Sequence, residues 1–281
     1  MIVDFHTHIF PPAFVGDRGL LFSGEPAFEL LYGSPDSRMA GTEELLRTMD
    51  EEEIERSVVF GFPWEKEDHL RRHNDYVIES VQKYPHRLTG FCTFSPLSNR
   101  ALKEAERCLD AGLSGVGELA LYHGDASAVP RGGPLRELAD LCLRFDVPVL
   151  LHANEPVGHA YPGKTTTPLS EFYELVKERP ANRFVLAHWG GGLFFYALMK
   201  KEVREVLRNT WFDTAASPYL YTPDIYRIAG EIIGYERILF GSDYPLLKPG
   251  RYFQEMEDAR IPEEAVKKIK GENAALLLGL T

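Results

Sequence analysis

Two kinds of segment alternate along the chain. Short apolar or β-branched runs occur at residues 2–5, 57–61, 88–94, 115–119, 148–151, 184–187, 211–214 and 238–240. Between them the apolar positions recur at helical spacing over 42–53, 66–83, 99–111, 134–145, 168–178, 193–207 and 223–233, with two further helices near 252–259 and 263–278. Strands alternating with helices imply right-handed crossovers in a parallel sheet, and eight such units imply an α/β fold of the closed (β/α)8 TIM-barrel type. No linker or repeat divides the chain, so residues 1–281 read as a single domain. Thr42, followed by Glu43 and Glu44, offers a capping oxygen and acidic side chains at a helix start. Gly112 sits where a helix C-cap is expected.

One connection breaks the rhythm. The chain runs from residue 9 to residue 41 between the first strand and its helix, against roughly 2–6 residues in an ordinary βα loop. It contains Phe10, Phe14, Phe22, Phe28 and Tyr32. It leaves from the strand end where barrels keep their active sites, so a lid over the substrate is expected, with a packed insertion as the alternative.

The candidate chemistry collects at strand ends. His6 and His8 stand two apart at the end of the first strand, so both imidazoles project from one face. His152 ends the fifth strand, His188 the sixth, and Asp243 follows the eighth. In a barrel these ends share one rim, so four imidazoles and a carboxylate converge on a metal site. Neutral imidazole with carboxylate suits Zn2+ first, and also Mn2+, Fe2+ or Co2+. Such an ion lowers the pKa of bound water towards about 7. Asp243 could touch the metal and serve as general base, and His188 could bind a second ion, orient the water or stabilise charge on the substrate. Asn154, Trp189 and Tyr122 are candidate substrate-binding residues on the same rim, with Glu155, His123, His159, Tyr161 and Lys164 as weaker ones. His69, His73 and His86 lie in or beside helices away from the rim and read as solvated surface histidines.

Composition narrows the function. The net charge of −11 lacks the basic footprint that nonspecific nucleic-acid binding requires. No apolar stretch approaches the roughly 18–20 residues of a membrane span, and the first residues show no signal-peptide pattern. The three cysteines, Cys92, Cys108 and Cys142, form no CxxC pair and read as buried thiols. The expectation is a cytoplasmic protein with a small-molecule substrate, no nucleic-acid partner and no membrane. A homodimer is expected from the prevalence of two-fold assemblies.

These residues carry a resemblance. The opening Asp4-Phe5-His6-Thr7-His8, then His152, His188 with Gly190-Gly191-Gly192, Gly241-Ser242-Asp243-Tyr244-Pro245 and the late Asn273-Ala274 are similar to the amidohydrolase superfamily. The closer resemblance is to the amidohydrolase-related family that includes aminocarboxymuconate semialdehyde decarboxylase. It implies His6, His8, His152 and Asp243 as ligands of one metal, with His188 as a catalytic histidine or a ligand of a second ion. Glu118, in Gly115-Val116-Gly117-Glu118, resembles the glutamate of TatD-type deoxyribonucleases, which bridges two ions. One ion is therefore expected, or two if Glu118 bridges.

The leading expectation is a metal-dependent hydrolase of a small-molecule C–N or C–O bond, using metal-activated water with Asp243 as base. The alternative is a non-oxidative decarboxylase of an aromatic or unsaturated carboxylic acid, which should place an arginine (Arg18, Arg38 or Arg131) near the substrate carboxylate. A TatD-like nuclease is a third reading, disfavoured by the charge.

Overall fold

The computed structural model describes residues 1–122 and 134–280. The candidates His123 and Arg131 lie outside the described residues. Strand β1 (Val3–His8) is followed by helices α1 (Pro12–Gly16) and α2 (Pro26–Tyr32) within the long connection, then α3 (Thr42–Glu51), β2 (Arg56–Phe60) and α4 (Glu67–Lys83). Next come β3 (Leu88–Gly90), α5 (Ala101–Asp110), β4 (Val116–Leu119), α6 (Pro134–Arg144), β5 (Val149–Leu151), α7 (Leu169–Glu178) and β6 (Phe184–Leu186). A tight 3-10 segment (His188–Leu198) leads to α8 (Lys201–Val206), β7 (Thr210–Asp213), α9 (Ser217–Leu220), α10 (Asp224–Ile233) and β8 (Ile238–Leu239). Helices α11 (Gly250–Asp258), α12 (Glu263–Lys267) and α13 (Asn273–Leu278) complete the chain.

All the strand pairs are parallel, in the orders β1-β2-β3 and β4 to β8. Two seams join these arcs into the barrel. Cys92 pairs with Val116 between β3 and β4, and Thr7 pairs with Tyr244 between β1 and the end of β8. At the second seam His8 N donates to the Tyr244 carbonyl at 2.7 Å and Asp243 N to the His6 carbonyl at 2.9 Å. The short strands are buried along their length, and their side chains divide between two apolar clusters as the two faces of a closed sheet require. In the smaller cluster Phe5, Phe60, Phe91, Leu150 and Val185 meet Ala274 and Leu277 of α13. No helix among the described residues is long and apolar enough to cross a membrane.

The expected strands are present, and three local expectations are corrected. The expected helix over 193–207 is split: after β6 the chain takes left-handed backbone angles from His188 through Gly192, and regular helix begins at Lys201. Thr42 does not cap α3; Gly41 precedes the first turn, and the Thr42 hydroxyl bonds Tyr76 Oη (2.9 Å) and Ser80 Oγ (2.7 Å), tying α3 to α4. His73 is buried rather than solvated. Trp64 Nε1 donates to its Nδ1 at 2.8 Å, and its Nε2 donates to the Ile9 carbonyl at 2.5 Å. Burial pushes its pKa down to about 3, so it stays neutral and can play both roles. Gly112 takes φ +98° after α5, the left-handed geometry that ends a helix cleanly.

The connection over 9–41 is a packed insertion. Phe14 and Phe28 are buried against Trp64, with the Phe28 ring centre 4.4 Å from that of Trp64, and buried Phe10 packs on Phe28 and Tyr32. Glu25, also buried, accepts from Glu65 N (3.1 Å) and Lys66 N (2.8 Å) ahead of α4, satisfying N–H groups at the helix entry. Arg18 Nη1 donates to the carbonyls of Ser37, Ser34 and Tyr32 at 2.7, 3.3 and 3.4 Å.

Candidate metal centre

Four imidazoles and two carboxylates meet at the C-terminal ends of the strands. His6 and His8 come from β1, Glu118 from β4, His152 from the end of β5, His188 from the turn after β6 and Asp243 from the turn after β8. Asp243 Oδ1 lies 3.5 Å from His6 Nε2 and 3.4 Å from His8 Nε2. Glu118 Oε2 is 3.8 Å from each of the same two nitrogens. Ligands bound at about 2.1 Å around a tetrahedral ion sit about 3.4 Å apart, so this spacing suits one shared cation. On its other side Glu118 Oε1 is 2.8 Å from His152 Nδ1 and 3.3 Å from His188 Nε2, and those two nitrogens are 3.1 Å apart. The sets His6, His8, Asp243 and His6, Glu118, His188 each bring their donor atoms within 4.8 Å of one another.

The imidazoles are oriented from behind. His8 Nδ1 donates to the Gly61 carbonyl and His188 Nδ1 to the Ala215 carbonyl, both at 3.0 Å. A carbonyl only accepts, so each proton sits on Nδ1 and the lone pair of Nε2 faces the centre. His6 Nδ1 meets Asp213 Oδ2 at 2.8 Å. His6 Nε2 is buried and has no hydrogen-bond partner. An uncompensated buried nitrogen is costly, and a cation among these donors would satisfy it. The residues therefore fit a divalent ion.

Electrostatics agree. Burial lowers the His6 imidazolium pKa, but Asp213, Glu118 and Asp243 outweigh it and raise the group to about 10. His188, opposed by burial but hydrogen-bonded to Glu118, rises to about 9. Burial would raise Asp243, yet His8, His6 and His188 hold it down at about 2. Burial likewise opposes ionisation of Glu118, and His152 and His6 keep it well below the ordinary range. The carboxylates stay charged and the metal-free pocket fills with protons, at positions where a cation can replace them.

The candidate binding residues divide. Tyr122 stands beside the centre: its ring centre is 5.5 Å from that of His152, and it lies parallel to Phe62 at 6.0 Å. Trp189 is fully buried, donates to Ser217 Oγ at 3.0 Å and packs on Tyr226, so it belongs to the core and not to a substrate wall. Asn154 is also withdrawn from substrate. Its Oδ1 accepts from Thr165 N and Oγ1 at 2.8 Å, and its Nδ2 donates to the Glu155 and Thr165 carbonyls at 3.3 Å, which fixes the loop after β5. Tyr161 and Lys164 both engage Glu155 at 3.0 Å. Of the candidate arginines, Arg18 holds the insertion and Arg38 pairs with Glu44 at 2.8 Å.

Two participants, Asp213 and Asp4, lie outside the candidate site residues, and a third, Tyr32, comes from the connection expected to cover the substrate. Asp213 ends β7, the same strand-end position that marked His152 and His188, and that position was the available signal. Asp4 accepts from Ser242 Oγ (2.5 Å), Ser242 N (2.9 Å) and His6 N (3.2 Å), fastening the turn that carries Asp243 to β1. Tyr32 reaches from the insertion to within 5.9 Å of Phe62, and burial together with Asp243 and Glu118 raises its phenol pKa.

Known proteins share this framework. A 253-residue stretch is 27% identical to gamma-resorcylate decarboxylase of Polaromonas sp. (strain JS666 / ATCC BAA-500), covering 75% of this chain and 76% of that protein. The structure of dihydroxybenzoic acid decarboxylase from Polaromonas sp. JS666, with bound manganese and the inhibitor 2-nitroresorcinol, superposes with TM-score 0.71 at 21% identity, over 99% of this chain and 97% of that one. The 5-carboxyvanillate decarboxylase of Sphingomonas paucimobilis gives TM-score 0.76 at 18% identity, over 100% and 99% of the two chains. The sequence profile of the Amidohydrolase family matches residues 3–280, and the chain belongs to that family.

Proposed function

We propose that this protein is a divalent-metal-dependent, non-oxidative decarboxylase of an aromatic carboxylic acid. The observation that carries the reading is an aromatic flank beside the metal donors: Tyr122 adjoins His152, and Tyr32 stands near enough to Asp243 and Glu118 for their charge to raise its phenol, with buried Phe62 behind both rings. The decarboxylases described above support it. Decarboxylation is preferred over the hydrolysis expected from the ligand set alone, because that set is common to both chemistries and the relatives are not.

The ion would be held by His6, His8, Asp243 and Glu118, with His152 and His188 on the far side of Glu118; manganese is the first ion to try, with zinc next. When bound, it supplies positive charge against which the acid's oxygen atoms can be held and polarised. The protein's own groups do the rest. The Tyr122 ring, backed by buried Phe62, offers one flat face to a planar substrate. Loss of CO2 breaks the bond from ring carbon to carboxyl carbon and leaves its electron pair on the ring carbon, which then takes a proton. His188 Nε2 is the group we assign to deliver that proton, because its Nδ1 is held by the Ala215 carbonyl and Nε2 is turned into the centre, 3.3 Å from Glu118.

The position of Glu118 between two donor groups favours one competing reading, hydrolysis at a two-ion centre with Asp243 accepting a proton from water. Assays with Mn2+ on 2,6-dihydroxybenzoate, 5-carboxyvanillate and a panel of related aromatic acids would decide. CO2 release in step with loss of the acid supports the proposal. Cleavage of esters or amides with no CO2 from any of the acids overturns it in favour of hydrolysis.

A further inference from the structure

The back of the metal centre is held by one carboxylate that faces no solvent. Asp213 is fully buried at the end of β7. Its Oδ2 lies 2.8 Å from His6 Nδ1, while its Oδ1 accepts from His188 N and Ala215 N, each at 3.0 Å. The Ala215 carbonyl in turn accepts from His188 Nδ1 at 3.0 Å. A single corner of the chain, 213–215, therefore orients two imidazoles from two other strands. Gly241 leaves the necessary room, since a Cβ there would stand 2.6 Å from the His6 Cβ.

We infer that Asp213 is the positioning residue of the centre: it dictates which nitrogen of His6 carries the proton and so presents the Nε2 lone pair to the ion. This inference rests on the metal-centre reading above. Two backbone N–H groups occupy Oδ1, so that atom must accept. The remaining oxygen also accepts, and the His6 proton is drawn to Nδ1. Nε2, buried with no other partner, is left as the ligand atom.

The same logic predicts an inverted pair of variants. In Asp213→Asn the amide oxygen is claimed by His188 N and Ala215 N, so the NH2 group faces His6 Nδ1. Two donors then confront each other unless the His6 proton moves to Nε2, which blocks the ion. Turning the amide over only transfers the conflict to the two backbone N–H groups. Asp213→Ala strips the acceptor from those N–H groups but leaves the His6 tautomer free. A residue that merely packs would show alanine as the worse variant in every measurement, because asparagine keeps the volume and the backbone bonds. A residue that sets the tautomer reverses the order for metal alone.

The experiment measures Mn2+ and Zn2+ dissociation constants by chelator competition on wild type, Asp213→Asn and Asp213→Ala, with metal-free Tm on the same samples. The expected result is metal binding in the order wild type, alanine, asparagine, with asparagine weakened by about 10–100-fold, the usual scale for losing a group behind a ligand. Metal-free Tm should place asparagine above alanine. Wild-type binding with asparagine equal to or tighter than alanine overturns the positioning role and leaves the metal centre standing. Failure of the wild type to bind either ion overturns the metal-centre reading, and the positioning role with it.

Discussion

His6 is pulled towards its charged form by three carboxylates and away from it by complete burial, and the carboxylates win. That balance has a measurable consequence. In the metal-free protein the pKa values of His6 and His188 lie above the ordinary 6.5, at about 10 and about 9. The folded state therefore holds protons that the unfolded chain has released above about pH 6.5. Their contribution to stability is complete below that pH and is lost as pH rises to 9 and 10. A bound ion replaces those protons, so Tm of the metal-loaded protein should stay level across the same window while that of the chelator-treated protein falls. Parallel declines in the two samples would show that no ion occupies the site. Asp243→Asn removes a charged donor that faces both His6 and His8, and should reduce kcat by about 10²–10⁴-fold, the range for a group that handles a proton or charge in the reaction, with the circular dichroism spectrum unchanged. Wild-type kcat in this variant would remove Asp243 from the site. At this scale the ligands were legible because each stands at a strand end in a recognisable type of residue. Asp213 shares that strand-end position, but its role and that of Asp4 stayed hidden, because an aspartate in a sequence gives no sign of whether it faces an ion, a histidine or a backbone amide.

The turn after β6 shows how an element can be legible in outline and hidden in detail. Its glycines, Gly190-Gly191-Gly192, permit a close approach of backbones. Gly191 sits at φ +58° against Asn154, whose carbonyl a Cβ at Gly191 would strike. Gly191→Ala should therefore cost at least the ~1–3 kcal/mol typical of a strained left-handed residue, and also displace the loop that follows His152. Gly192→Ala, at φ +83° but with only the Phe195 ring edge nearby at 3.1 Å, should cost less. Urea melts of both variants test the order, and equal losses would show that the backbone collision at Gly191 is relieved cheaply. The same turn ended the expected helix over 193–207, since apolar spacing records which residues are buried and is blind to a run of positive φ. The insertion hid its helices in a similar way: α1 and α2, at five and seven residues, are too short to leave a periodic signature.

At the scale of the molecule, an ion held by His6, His8, Glu118 and Asp243 would tie together β1, β4 and β8, with β5 and β6 joined to it through Glu118. Because the unfolded chain has no such site, free ion at 100 times its dissociation constant should raise stability by about 2.7 kcal/mol, and chelation should remove that increment. Titration of Tm against Mn2+ checks it; a Tm indifferent to the ion would place the donors' cohesion in hydrogen bonds alone. The barrel itself closes through slender seams at Cys92–Val116 and Thr7–Tyr244, the second of which also sets Asp243 beside His6. Residue pattern alone determined the order of strands and helices, the strand ends at which histidines cluster and the class of ion they suit. These are properties of period and residue type, which are local and survive in a linear string. Tertiary structure alone decided that Glu118 stands between two groups of donors, that Asn154 and Trp189 serve the scaffold, that His73 is buried and that Asp213 stands behind His6. Each of those depends on distances between residues far apart in the chain, which only the closing of the barrel creates.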